Sequence, residues 1–369
     1  MNVNKNIIAS TLLRLNLYRK QPGLIYSIRK LVADIRSNPQ SIRVMRFAIG
    51  VTLAVAISSA INWPLAFLVP ILTSVFLAMP IPMPGLKSGL TNMLYTISAF
   101  LVGIVFTLFL LPYPLAYIPM LALALFNLYY MLNRGGSFWF VLMSLLAILI
   151  LPMLGNNHEG LAKGFAFGFV LSGWVTVFMV WLAYLLVPDQ SGTPPLPKKP
   201  GLQKGFSLVA AQAALKSTVV VLPMAILFIT FNLSNLLVVL VFTAIFTLAP
   251  DISKGKGAGI NSMKSTLIGG AYAFIFYSLI VAVPEYHFFI ALMFLTTLFF
   301  AGKIFSDNPS AQYYASAFST LFILVNSSLG EGANFTSAFI LRFTFILLAT
   351  LYVVFSLMVF ERFWPQKTK

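Results

Sequence analysis

Apolar runs close to the ~20 residues that a helix needs to cross a bilayer recur along this whole chain, separated by short clusters of Pro, Gly, Asn and basic residues. None of them alternates with period two, which argues against a membrane β-barrel. Backbone groups in a bilayer must be satisfied within the spanning segment, so helices are the remaining solution. Only 9% of residues are charged, far below the roughly one quarter usual in soluble domains. The runs predict twelve helices, near 43–62, 64–79, 90–111, 115–132, 137–154 and 161–187, then 211–231, 235–249, 260–283, 286–301, 313–328 and 334–361. The runs 64–79 and 235–249 are short, as expected of helices that tilt less or are broken inside the bundle.

The two groups of six are in register at an offset of 170 residues, which brings Asn62 onto Asn232, Pro80 onto Pro250, Gly85 onto Gly255, Gly89 onto Gly259, Pro114 onto Pro284 and Asn156 onto Asn326. Most of these punctuate the ends of apolar runs, where turn chemistry limits the choice of residue. An even number of helices per repeat makes the repeats parallel, related by an axis along the membrane normal, with a pathway expected at their interface. The expected fold is therefore an all-α polytopic membrane protein of two parallel six-helix repeats. Its expected parts are a basic amphipathic segment 1–42, repeats at 43–187 and 206–362, a proline-rich linker 188–205 and a tail 363–369.

Basic residues cluster before the first helix and recur in alternate connections, at Lys87, Arg134, Lys198, Lys199, Lys204, Lys254, Lys256, Lys264 and Lys303. This positive-inside pattern predicts both termini in the cytoplasm. The net charge of +16 thus has a topological cause, and nucleic acid is not an expected partner. Residues 24–36 place apolar side chains at helical spacing beside Arg29, Lys30 and Arg36, as in a helix lying on an anionic leaflet. The first 40 residues are polar and basic, without the apolar core of a cleavable signal peptide. There is no cysteine, so no disulfide framework or thiol chemistry is expected.

Few residues offer chemistry. His158 and His287 fall on different connections without metal-ligand spacing, and no catalytic motif is present, so neither enzymatic activity nor a metal or cofactor is expected. The run Lys254-Gly255-Lys256-Gly257-Ala258-Gly259 resembles a phosphate loop only superficially, since Met263 stands where a Walker A glycine precedes its lysine; a flexible basic loop is expected instead. Gly164, Gly168 and Ser172 form a small-residue series suited to close helix packing. At the repeat offset they become Asn334, Ala338 and Arg342. Arg342 would then lie ~12 Å into the last helix at ~1.5 Å per residue, where a cation is costly without an anion. Two partners fit: a carboxylate such as Glu159, Glu285 or Glu331, or an anionic substrate held by the guanidinium fork. Lys163 is a second substrate candidate that also fits snorkelling to the surface. Glu159, Glu285, Glu331, His158 and His287 make the outer side titratable and are candidates for proton coupling, or simply solvated loop residues. Asn62 and Asn232 read as helix terminators or a pair of gate residues. Trp63, Trp364 and Tyr184 fit interfacial aromatic belts, and the pairs Tyr129-Tyr130 and Tyr313-Tyr314 fit a belt or an aromatic-lined entrance.

The stretch from Asn62 through Trp63-Pro64 and Thr73 to the Pro80–Gly89 turn resembles the fusaric acid resistance-type (FUSC-like) superfamily. Leu128-Tyr129-Tyr130, Asn133-Arg134-Gly135-Gly136, Leu151-Pro152-Met153-Leu154-Gly155 and Val187-Pro188-Asp189 resemble its compact branch. The resemblance implies export of aromatic carboxylic acids across a bacterial inner membrane, in some members with a periplasmic adaptor of the membrane-fusion type. The large cytoplasmic domain of the bigger exporters has no counterpart in this sequence. The expected function is a secondary transporter exporting small amphipathic, anionic compounds by alternating access, in contact with lipid, as one chain or a homo-oligomer. A non-transporting scaffold and a passive channel are the alternatives.

Overall fold

A computed structural model describes residues 38–61, 63, 65–79, 85–189, 205–248, 251–328 and 334–363. The amphipathic segment at 24–36, most of the linker and the tail lie outside these residues, as do Asn62, Glu331 and Trp364. The described residues hold twelve α-helices and no strand. They are α1 (Pro39–Ile61), α2 (Leu68–Ala78), α3 (Leu86–Val105), α4 (Pro114–Asn133), α5 (Phe138–Asn157) and α6 (Glu159–Leu186), then α7 (Leu208–Thr230), α8 (Leu237–Phe246), α9 (Ile252–Ala282), α10 (Tyr286–Ile304), α11 (Ala311–Ser328) and α12 (Phe335–Phe363). Nine are long and apolar enough to cross a membrane, and the chain is a multi-pass membrane protein. The other three are α2, α8 and α11. The first two are short, as expected from the sequence, whereas α11 carries polar residues at both ends.

Local chemistry sets the helix ends. Ser137 and Ser207 cap α5 and α7 by accepting from Phe140 N and Ala210 N, each at 3.3 Å. Pro114 opens α4, where its missing N–H costs nothing. Asn232 ends α7 in the left-handed region at φ 51°, which Asn tolerates, and Leu233 N closes back on Phe228 O at 2.9 Å.

The start of α9 departs from expectation. Residues 254–259 are not a loop but part of α9. Asp251 starts the helix, its Oδ1 accepting from Lys254 N at 3.3 Å and its carbonyl from Gly255 N at 2.8 Å. The glycines there serve close packing: a Cβ on Gly255 would stand 3.3 Å from Val353, and one on Gly259 would strike Thr350. Gly89, which the offset places on Gly259, does the same work in α3, where a Cβ would lie 2.7 Å from the Trp181 ring of α6.

Helix packing follows one pattern in both groups of six. The third helix packs closely on the fifth (α3 on α5, α9 on α11), and the sixth packs on the first, second and third. The fourth helix of each group leans on the first helix of the other, α4 on α7 and α10 on α1. Two of the core clusters among the described residues join the groups, one around Tyr129, Ile148, Val221 and Leu240, the other around Phe47, Leu77, Phe300 and Phe318. The groups therefore meet along two seams: α4 and α5 against α7 and α8, and α10 and α11 against α1 and α2.

Candidate functional site

The α1–α11 seam contains a cavity of about 270 Å³. From one side α1 contributes Val55, Ser58 and Ser59, with Ala66 and Phe67 of the approach to α2. Across from them stand Leu321, Phe322, Val325 and Asn326 of α11, and Phe289 and Met293 of α10 close the wall with Phe276 of α9. The lining is apolar and aromatic apart from Ser58, Ser59 and Asn326, and carries no charged residue among those described. Ser58 and Ser59 donate to Val55 O at 3.1 and 2.7 Å, which leaves their lone pairs as acceptors. A small, mostly apolar pocket with a few fixed polar groups is the usual form of a small-molecule site.

Ala66 and Phe67 are held by a strained turn. Leu65 sits at φ 66°, a conformation that costs an L side chain ~1–2 kcal/mol. Ser172 of α6 fixes this turn by donating to Leu65 O at 3.0 Å while accepting from Trp63 Nε1 at 3.1 Å. Ser172 is fully buried, so the small residue anticipated there as a packing contact also anchors the cavity wall.

The other seam is filled and bonded at the equivalent positions. Ser58 and Ser59 fall on Phe228 and Ile229 at the offset of 170, and Phe228 is buried in the core. Asn156, the counterpart of Asn326, donates to Asn232 Oδ1 at 3.4 Å and Ile229 O at 3.3 Å, and Asn232 donates to Asn157 at 2.7 Å. Deeper in, Tyr129 is fully buried, its hydroxyl 3.1 Å from Ala244 O and 3.0 Å from Thr247 Oγ1. Tyr129 is thus a seam residue, not a belt residue: a ring with a partnered hydroxyl packs well between helices.

Buried charge occupies a second pair of equivalent positions. Arg46 of α1 and Lys216 of α7 are 4% and 6% exposed and coincide at the offset of 170. Arg46 pairs with Asp189 at 2.6 Å, donates to Val187 O at 2.8 Å and lies 3.8 Å over the Tyr184 ring. Tyr184 is therefore buried under a guanidinium and does not face an interfacial belt. Lys216 reaches Glu361 at 3.5 Å, beside the Phe360 ring. Each cation ties the first helix of its group to the end of the sixth. The sequence carried the signal, since sliding the halves superposes Arg46 on Lys216, but both were masked by the abundance of basic residues around the first helix.

Arg342 stands apart from the cavity. Its Nη2 lies 3.4 Å from Thr320 Oγ1 and its Cζ 5.8 Å from the Phe242 ring. Its Nε is buried without a hydrogen-bond partner, and no ion pair reaches it among the described residues. Of the carboxylates expected as partners, Glu159 is paired with Lys163 at 2.9 Å on an exposed helix face, and Glu285 is exposed just before α10. Lys163 is accordingly a solvated i,i+4 pair. His158 caps α6 through Gly160 N at 3.0 Å, and His287 is exposed beside Tyr286. Gly164 is exposed with nothing within 4 Å of an added Cβ, whereas Gly168 is buried. Gly168 and Ser172 thus lie on the buried face of α6, which continues through Ala162, Ala166 and Thr176, and Gly164 lies off it.

No curated protein and no solved structure matches this chain. A family model described as "Protein of unknown function (DUF2955)" matches residues 43–183, a span that begins in α1 and ends in α6 and so coincides with the first group of six helices.

Proposed function

We propose that this chain is a bacterial inner-membrane transporter exporting small amphipathic aromatic compounds, with its ligand held between two parallel six-helix repeats whose termini face the cytoplasm. The observation that carries this reading is the cavity between α1 and α11, placed where parallel repeats form a pathway. The recurrence of the same helix packing in both groups supports the duplication. The resemblance to fusaric acid resistance-type proteins supports export of aromatic acids, and an adaptor of the membrane-fusion type remains part of the proposal.

The lining refines the ligand. A ring of one or two units fits the volume, its face against Phe67, Phe289 and Phe322. The polar end meets serine acceptors and one amide, with no cation to hold a carboxylate. A carboxylate left without a cation in an apolar wall is costly, so the ligand binds there as a neutral acid, a phenol or an amide. Arg342 would contact an anion only at a second point, behind Thr320.

Purified chain in proteoliposomes tests this with a panel of labelled aromatic acids and their amides. Saturable movement above that of empty vesicles is expected for the amides, and for the acids it is expected to fall as pH rises above the acid's own pKa. Ser58→Phe, which copies Phe228 into the open seam, should stop movement while Ser58→Ala retains it. No movement of any compound would overturn the transport reading in favour of a scaffold.

A further inference from the structure

The seam that holds the cavity holds a second void on the other side of a packed plug. Phe47, Ser74, Val75, Ala315, Ser316 and Ser319 line a recess of about 490 Å³ between α1, α2 and α11 that opens to the surface at Val75. On α1 the face runs Phe47, Val51, Val55 and Ser58–Ser59, at the spacing that keeps residues on one side of a helix. Phe47 touches the second void and Val55 the first, so Val51 falls between them. On α11 the matching stripe is Ala315, Phe318–Ser319, Phe322 and Val325–Asn326. Phe318 meets Phe47 edge to face, ring centroids 5.6 Å apart. Phe47, Val51, Leu77 and Phe318 are all buried in one cluster. Leu77 lodges against Gly50, where a Cβ would come within 2.7 Å of it.

The helices beside this plug differ in how they are tied. α10 is bonded to α1 at three heights: Gln40 Nε2 donates to Phe305 O, Thr52 and Thr297 hydroxyls lie 3.2 Å apart, and Tyr286 OH donates to Ala56 O at 3.0 Å. Between α1 and α11 no hydrogen bond occurs among the described residues; ring and aliphatic contacts alone join them. Apolar contacts slide and part without leaving a buried polar group unpaired, so this is the seam that can open.

We infer that Phe47, Val51, Leu77 and Phe318 form the barrier of the transport route, and that it opens by α11 parting from α1 while α10 moves with α1. The moving body is therefore not the six helices contiguous in sequence, but that group with its fourth helix exchanged. The inference rests on the transport reading, and names the route and gate of the same site.

The absence of native cysteine gives a silent background for the test. Ser58→Cys and Ser319→Cys are placed singly in sealed vesicles and exposed to a membrane-impermeant maleimide from either face. Each is expected to label from one face only, and from opposite faces. Adding Phe318→Ala, or Phe47→Ala should the first variant fail to fold, is expected to let each label from both. Labelling of both sites from one face, or a barrier unchanged by either truncation, would overturn the gate. In the transport assay, a thiol crosslink between Val55→Cys and Val325→Cys should stop movement, and one between Thr52→Cys and Thr297→Cys should leave it intact; the reverse result would overturn the assignment of the moving body. The labelling needs no substrate, so a gate that holds in a chain that moves nothing would sink the transport reading alone.

Discussion

Arg46 and Lys216 hold equivalent positions with unequal partners. Arg46 has a carboxylate at 2.6 Å, a carbonyl and a ring, and its side chain is 5% exposed. Lys216 has a carboxylate at 3.5 Å that is 42% exposed. Both cations are buried, at 5% and 7% exposed, and both carboxylates are partly open, at 29% and 42%. The pairs differ in the shorter contact and the carbonyl hydrogen bond that Arg46 makes, and a hydrogen bond to a charged group contributes ~1.5–3 kcal/mol. Arg46→Ala should therefore lower the apparent Tm in detergent more than Lys216→Ala; equal shifts would contradict the pairing described. Arg342 behaves in the opposite sense. With no ion pair among the described residues, Arg342→Leu should leave the Tm unchanged or raise it and leave amide transport intact. Transport lost at full stability would instead make Arg342 a substrate contact. The sequence made Arg342 conspicuous because it interrupts an apolar run. It could not show that Thr320 and Phe242, distant in sequence, would be its neighbours.

At the scale of the element, the nine helices long and apolar enough to span a membrane among the described residues were legible because apolar period and breakers mark them locally. The start of α9 was not, because Gly255, Gly257 and Gly259 look like a turn until α12 is packed against them. Glycine in a helix costs ~1 kcal/mol relative to alanine, and here close approach to Thr350 offsets that cost. Gly259→Leu and Gly89→Leu should each destabilise by ~1–3 kcal/mol through overpacking against Thr350 and Trp181. Gly164→Ala, with open space around it, should be neutral or stabilise by up to ~1 kcal/mol. Thermal unfolding of the three variants side by side checks this. Destabilisation by Gly164→Ala would place Gly164 on the packing face with Gly168 and Ser172.

For the whole molecule, the two groups of six helices meet along two seams and the residues make them unequal. One is closed by Phe228, Tyr129 and the Asn156–Asn157–Asn232 amides; the other, with Ser58, Ser59 and Asn326, keeps a cavity. The Ser58–Phe228 difference was present in the sequence, but its meaning depends on knowing that α1 faces α11, and α7 faces α5, across the two groups. That exchange of partners is a tertiary fact with no local signature. The most direct measurement is the number of sites for a single-ring aromatic amide on the purified chain, by equilibrium binding. One site per chain is predicted, lost in Ser58→Phe and retained in Arg342→Leu. Two equivalent sites, or one that survives Ser58→Phe, would contradict a ligand held in the open seam.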